Sequence, residues 1–281
     1  MSLKSTLAGA VALAALVAPT AAQADQIGPD PTVTSIRQNG TFAYDRIAIG
    51  DGATPGFGKA QIWAPKDTSR TYGAVAIAPG WTENMLQIQW LGPRLASHGF
   101  AVIAFDVTNT FTDLPPVRGS QLLRAVDYFV NTSPFKSRID GTRVAVMGHS
   151  MGGGGALEAS YRRPSLKAAV PLTPWSLNTN FSRNTVPTMI ISAQNDIIAP
   201  VASHTNKFYN SIPATTSKAL FEYAGADHFI TNSANPTVGA GAISWLKRFV
   251  DGDTRYSQFI TPSATFALPG KQSKYLTSGT L

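Results

Sequence analysis

The most informative segment of this 281-residue chain reads RVAVMGHSMGGGGA at residues 143–156. Its apolar start, from Arg143 to Met147, is typical of a buried strand, and the small residues at its end are typical of a closely packed helix. Between them lies the pattern G-x-S-x-G, which in a strand–turn–helix context places the serine on a sharp, strained turn. The segment therefore predicts a nucleophilic Ser150 at the end of a strand.

Apolar runs and helical patterns alternate along the rest of the chain. Runs typical of strands lie at residues 41–49, 59–63, 73–78, 101–105, 143–147, 168–172, 188–192 and 218–223. Patterns typical of helices lie at residues 87–98, 117–130, 150–162, 201–210 and 237–250. This alternation after an antiparallel opening pair predicts an α/β fold. We expect a mostly parallel sheet of about eight or nine strands with helices on both faces.

The composition excludes several kinds of site. The chain has no cysteine and four histidines, and 43% of its residues are apolar. The lack of cysteine excludes a thiol nucleophile, a disulfide and a cysteine-ligated zinc site. No histidine stands in an H-x-x-x-H pattern, so no metal site is predicted. The net charge of +7 is scattered rather than gathered in a basic stripe, which disfavours nucleic acid as a partner.

The first 24 residues have the pattern of an export signal. Lys4 precedes an apolar stretch at residues 7–17, and Ala22-Gln23-Ala24 matches the A-x-A cleavage pattern. The apolar stretch is too short to span a bilayer, so no stable membrane insertion is expected. We predict a signal peptide at residues 1–24 and a single domain at residues 25–281. The protein is expected to be secreted to the extracellular space, or to the periplasm if its host is Gram-negative.

A serine nucleophile needs a base and an acid, and on an α/β fold of this kind the acid precedes the histidine along the chain. Only two histidines follow Ser150. His204 falls in a predicted helix and is interpreted as structural, whereas His228 lies in a loop just after the last predicted strand. The predicted acid is Asp196, which also lies in a loop after a strand. Asp227 is the alternative, but a residue adjacent to the histidine rarely turns back to meet its ring.

Two N–H donors are needed to stabilise the oxyanion that forms when a serine attacks a carbonyl group. One is the amide of Met151, directly after the nucleophile. The other is expected in the loop after the strand at residues 73–78, where Trp81 is the candidate. His149 is adjacent to the nucleophile and is expected to point away from the site.

Four segments of the chain resemble one known family, the actinobacterial cutinases and the related polyester (PET) hydrolases. The matching segments are GHSMGGGG at 148–155, LTPW at 172–175, KFYNSIP at 207–213 and SWLKRFVD at 244–251. The likeness extends over residues 40–259 and implies an α/β-hydrolase fold, no cofactor, and cleavage of ester bonds in polyesters such as cutin and PET. It also implies a catalytic triad of Ser150, Asp196 and His228, an oxyanion hole of Trp81 and Met151, and a substrate cleft lined by Trp81, Met151, Trp175 and Ile198.

Several positions depart from the pattern of that family. Ser176 follows Trp175 where actinobacterial cutinases usually have histidine. Gln194 and Ala224 stand where thermophilic members place the carboxylates of a calcium site, so no bound metal is expected. Thr261 lies near a position that is usually cysteine, and the common disulfide is absent.

The expected substrate is a polymeric or lipid ester, and the expected state is a monomer. Only 13 positions separate Leu172 from Val186, which leaves no room for a lid. An open cleft beside Trp175 would admit a bulky chain, although Trp175 could instead pack under a loop. Two alternatives stay open: a lipase or carboxylesterase for small or short-chain esters, and a non-catalytic surface-binding module on the same scaffold.

Overall fold

Nine strands and seven α-helices make up the described part of the chain, which comprises Met1 and residues 26–281. In this computed structural model the strands are β1 (Tyr44–Ile49), β2 (Ala60–Pro65), β3 (Tyr72–Ala78), β4 (Ala101–Phe105), β5 (Ile139–His149), β6 (Ala168–Leu172), β7 (Thr188–Ala193), β8 (Lys218–Tyr223) and β9 (Gln272–Ser278). The helices are α1 (Val33–Arg37), α2 (Leu91–Ala96), α3 (Pro115–Asn131), α4 (Met151–Arg162), α5 (Thr205–Ser211), α6 (Pro236–Phe249) and α7 (Ser257–Ile260). The predicted signal peptide lies outside the described residues, apart from Met1.

All nine strands belong to one sheet, in the order β1-β2-β4-β3-β5-β6-β7-β8-β9. The six strands from β4 to β8 in this order pair in parallel. Antiparallel pairing occurs at both edges of the sheet. It involves β1 and β2 at one edge and β9 at the other. The predicted mostly parallel α/β sheet with an antiparallel opening pair is therefore confirmed.

Helices cover both faces of the sheet because its central strands are apolar on both sides. In β3 the side chains of Val75 and Ile77 join a core that also contains Leu95 and Trp245, from α2 and α6. The alternate residues of the same strand, such as Ala76, join a second core with residues of α3 and α4. Side chains point alternately to the two faces of a strand, so one apolar run can fill two cores.

Two predicted helices begin later than their patterns indicate. The pattern at residues 87–98 becomes a short 3-10 turn at Met85–Gln87 followed by α2, which begins at Leu91. Pro93 then lies in the first turn of α2, where its missing N–H costs no hydrogen bond. The pattern at 201–210 begins as a turn in which the amides of Ser203 and His204 both bond to the Pro200 carbonyl. His204 consequently lies immediately before α5 rather than inside it.

The parallel arrangement brings several loops together at the carboxyl ends of the central strands. The loops after β3, β5, β7 and β8 all begin at this edge, which is where open α/β sheets bind their ligands. The connection from β6 to β7 contains no helix and forms no lid over the edge. Among residues 26–281, no helix is both long enough and apolar enough to cross a bilayer.

Candidate active site

Ser150 occupies the sharp turn between β5 and α4, with φ 53° and ψ −116°. This backbone conformation is strained for a residue with a side chain, and such strain is typical of a nucleophile elbow. The turn closes only because its flanking residues are glycines. A Cβ at Gly148 would lie 2.3 Å from the Gly152 carbonyl oxygen, and one at Gly152 would lie 2.3 Å from the Ala78 carbonyl oxygen. Strand and helix therefore approach as closely as the sequence pattern predicts.

A chain of two hydrogen bonds links the three predicted triad residues, which come from three different loops. The Ser150 hydroxyl donates to His228 Nε2 at 2.9 Å. On the other side of the ring, His228 Nδ1 donates to a carboxylate oxygen of Asp196 at 2.7 Å. All three residues are at most 6% exposed. The imidazole is thus oriented with one nitrogen on a carboxylate and the other on a hydroxyl, which is the arrangement that activates a serine.

Asp196 is held in its ionised form by more than the histidine. Its second oxygen accepts hydrogen bonds from the amides of Ile198 at 2.9 Å and Ala199 at 2.7 Å. Burial raises the pKa of Asp196, but the hydrogen bonds from His228 and from these amides outweigh burial and hold the pKa below its ordinary value. The alternative acid, Asp227, instead accepts a hydrogen bond from the Phe229 amide and caps the short 3-10 turn that begins at His228.

The two predicted oxyanion donors flank the nucleophile. Met151 is the first residue of α4, so its amide lies at the positive end of the helix. Neither its amide nor that of Trp81 takes part in a backbone–backbone hydrogen bond among the described residues. The loop that carries Trp81 is fixed by Arg118, a fully buried guanidinium that donates to the carbonyl oxygens of Pro79 and Gly80, each at 3.0 Å.

The triad opens into a cleft of about 730 Å³ whose walls are mainly apolar. All the predicted cleft residues line it, namely Trp81, Met151, Trp175 and Ile198. Trp81 and Ile198 are about half exposed, at 52% and 46%. The Trp175 amide donates to the Ser150 carbonyl oxygen at 2.9 Å, and the indole lies 6.0 Å from the His204 ring. Trp175 is therefore tied to the elbow through its backbone while its ring faces the cleft.

Several further residues line this cleft without having been predicted from the sequence, among them Glu83, His149, Phe229 and Asn232. The prediction that His149 points away from the site is wrong, because its ring lies 4.9 Å from the ring of His228. The sequence signal for Phe229 is its position in a loop, directly after the predicted base His228. Glu83 and Asn232 belong to no periodic apolar pattern in the sequence. Their contact is seen only in the structure, where their loops lie close together.

The two positions of the family's calcium site carry no carboxylates in this chain, and their groups form other contacts. Gln194 accepts a hydrogen bond from the Gly225 amide at 2.8 Å, and the Ala224 amide donates to the Lys271 carbonyl oxygen. Across residues 26–281, no group of three or more histidine, aspartate or glutamate side chains is placed to hold a metal ion.

An open, mostly parallel sheet with a serine on a strained turn at its carboxyl edge defines an α/β-hydrolase. The model of the PET hydrolase-like family matches residues 19–278. Cutinase cut1 of Thermobifida fusca is 48% identical over 281 residues, with 98% of this chain and 88% of that protein covered. Cutinase 2 of Thermobifida cellulosilytica is 49% identical over 251 residues, covering 88% of this chain and 95% of its own. A bis(hydroxyethyl) terephthalate hydrolase of Streptomyces coelicolor is 48% identical over 263 residues, with 92% of this chain and 84% of that protein covered.

The chain belongs to the PET hydrolase-like family. The resemblance inferred from the four short segments is thereby confirmed, and so is the expectation of a carboxylic ester hydrolase. A carboxylic ester hydrolase therefore explains the scaffold better than the alternative of a non-catalytic binding module.

Proposed function

We propose that this protein is a secreted serine esterase that hydrolyses the ester bonds of polyesters, including cutin and aromatic or aliphatic polyesters such as PET. The observation that carries the proposal is the hydrogen-bonded series Ser150–His228–Asp196 at the floor of an open apolar cleft. The names of the similar proteins, cutinases and a bis(hydroxyethyl) terephthalate hydrolase, support the same substrate class. The protein acts as a monomer from a single domain at residues 25–281, after removal of residues 1–24.

The reaction follows from the geometry in two steps. His228 accepts the Ser150 proton as the hydroxyl oxygen attacks the ester carbonyl carbon, and the amides of Met151 and Trp81 stabilise the oxyanion. His228 then donates its proton to the departing alcohol, which leaves an acyl group on Ser150. In the second step His228 activates a water molecule that releases the acid and restores the serine. Asp196 orients the imidazole and stabilises its charged form without taking the proton.

The pH dependence of the reaction follows from the role of the neutral imidazole. Only the neutral ring of His228 can accept the serine proton, while the lowered pKa of Asp196 keeps that carboxylate ionised as the medium becomes acidic. We expect kcat/KM on a soluble ester to be lower in acid than at neutral pH. Circular dichroism at each pH serves as the control for folding. A flat profile with an intact fold would contradict the role of His228.

The substrate class is tested by comparing products from cutin, triglyceride emulsion, PET film and a short-chain nitrophenyl ester side by side. A polyester hydrolase releases acid from the polymers as well as from the soluble ester. The alternative, a lipase or carboxylesterase for small esters, predicts turnover of the soluble ester and no release from cutin or film.

Replacing Trp175 should affect hydrolysis of a polymer more than hydrolysis of a small ester. Its indole supplies an apolar face beside the nucleophile, and an aromatic contact of this kind contributes about 1.4 kcal/mol, or about tenfold in rate. We expect Trp175→Ala to lower release from PET film about tenfold and to change turnover of the short-chain ester much less. Tyr161→Ala, which removes a half-buried aromatic from the far end of α4, is the control. Equal losses on both substrates would show that Trp175 only supports the fold.

A further inference from the structure

Glu83 accepts hydrogen bonds from three segments of the chain around the nucleophile, although no step of ester hydrolysis uses it directly. Its side chain is only 10% exposed. One oxygen accepts from the Gly80 amide at 2.7 Å and from His149 Nδ1 at 2.9 Å. The other oxygen accepts from the side-chain amide of Asn232. One carboxylate thus connects the loop after β3, the end of β5 and the loop that carries His228.

Both ring nitrogens of His149 have hydrogen-bond partners. Its Nδ1 faces the Glu83 carboxylate, and its Nε2 faces the main-chain carbonyl oxygen of His228 at 3.1 Å. Both partners are acceptors, so the ring satisfies both contacts when each nitrogen carries a hydrogen. Burial raises the pKa of Glu83, but the hydrogen bonds from His149, Gly80 and Asn232 outweigh burial and hold the pKa below its ordinary value. Both ring nitrogens of His149 therefore face hydrogen-bond acceptors, and one of these acceptors is a carboxylate.

The space around Gly80 shows how closely this pair packs against the nucleophile. A Cβ at Gly80 would lie 2.7 Å from Glu83 Oε2, 3.0 Å from His149 Nδ1 and 3.0 Å from Ser150 Cβ. From the opposite side, Arg118 donates to the Gly80 carbonyl oxygen at 3.0 Å. The peptide groups that precede the Trp81 amide are consequently held by a buried cation on one side and a buried anion on the other.

The main chain of His228 is held in the same way. Its carbonyl oxygen accepts hydrogen bonds from His149 Nε2 and from the Thr173 hydroxyl, each at 3.1 Å. Asp196 fixes the far end of the ring through Nδ1. His228 is therefore held by two buried carboxylates, directly by Asp196 and through the ring of His149 by Glu83.

We propose that Glu83 and His149 form a hydrogen-bonded ion pair that acts as a positioning unit for the reaction, locking the oxyanion loop at Gly80 and the His228 backbone against the nucleophile. This inference rests on the proposed function. The charged groups that face the pair are Arg118 from α3 and, next to His228, Asp196. Neither Glu83 nor His149 touches the reacting atoms, so their effect is on the placement of the groups that do.

Glu83→Gln tests this role because it keeps the shape of the side chain and removes its charge. We expect kcat on a soluble nitrophenyl ester to fall about 10- to 100-fold, because displacements of about 1 Å in such a site cost that much, while KM stays close to the wild-type value. The matched control is Glu222→Gln, which removes another buried carboxylate that pairs with Lys274 at 3.5 Å on the β8–β9 edge. The control should keep the wild-type kcat, and melting temperatures separate lost folding from lost positioning.

A second measurement detects the Glu83–His149 pair directly in the wild-type enzyme. Nitrogen-15 NMR of the four histidine rings, recorded at the pH of the activity assay, should find a hydrogen on each ring nitrogen of His149. The same signal should show one protonated nitrogen in Glu83→Gln. A neutral His149 in the wild type, or a wild-type kcat in Glu83→Gln, would overturn the inference. Ser150→Ala, measured in parallel, distinguishes failure of this inference from failure of the proposed function. Activity retained in Ser150→Ala would refute the proposed function.

Discussion

Ser150→Ala should lose ester hydrolysis almost completely, with kcat lower by a factor on the order of 10⁶. The alanine leaves His228 without a hydroxyl to deprotonate and leaves the ester without an attacking oxygen. The backbone strain at this position, with φ 53°, stays in the variant. We therefore expect the fold to persist, and the loss to be one of chemistry rather than of stability.

The control for Ser150→Ala is Ser160→Ala, which removes the hydroxyl of another buried serine in the helix that follows the nucleophile. Ser160 donates to the Leu157 carbonyl oxygen inside α4 and lines no part of the cleft. Hydrolysis of a soluble nitrophenyl ester should be unchanged in this control. Comparable activity in Ser150→Ala and the wild type would remove Ser150 from the mechanism.

Asp196→Asn should lower kcat by a factor of about 10⁴ while leaving the geometry of the site intact. The carboxylate accepts the His228 Nδ1 hydrogen at 2.7 Å, so the proton-free nitrogen faces Ser150. An asparagine can turn its amide N–H toward Nδ1, which then becomes the acceptor and leaves the hydrogen on Nε2. The ring is then in the wrong tautomer to take the serine proton.

Asp227→Asn is the matched control, because Asp227 is the neighbouring carboxylate that the sequence left as an alternative acid. Its oxygen accepts the Phe229 amide at 3.0 Å, which an asparagine oxygen can also do. We expect kcat of this variant to stay near the wild-type value. If Asp227→Asn caused the larger loss, the acid would be Asp227 and the arrangement at Asp196 would be incidental.

The sequence predicts the centre of this fold well because its central strands are apolar on both faces. The strands predicted at residues 101–105, 168–172 and 218–223 have those bounds in the structure. Continuous apolar runs between turn residues leave little freedom in where such strands begin and end. Helix starts are less certain, and α2 begins four residues later than its pattern because Pro93 must lie in the first turn.

The meeting of Ser150, Asp196 and His228 could be predicted because each of them follows a strand, and strand ends converge in a parallel sheet. The Glu83–His149 pair could not be predicted in this way. Glu83 lies in an irregular loop, and its partners Gly80, His149 and Asn232 come from positions up to 149 residues away. The only trace in the sequence is a carboxylate beside the predicted oxyanion residue, and nothing local shows whether such a carboxylate faces solvent or the site.

Mapping the covalent product of a fluorophosphonate tests whether His228 activates Ser150 as a nucleophile. The serine oxygen displaces fluoride and forms a bond to phosphorus, so only an activated serine is labelled. Mass spectrometry should find one adduct, on the peptide that contains Ser150, and no adduct in His228→Ala. An adduct on another residue, or an active enzyme that the reagent neither labels nor inhibits, would contradict the account.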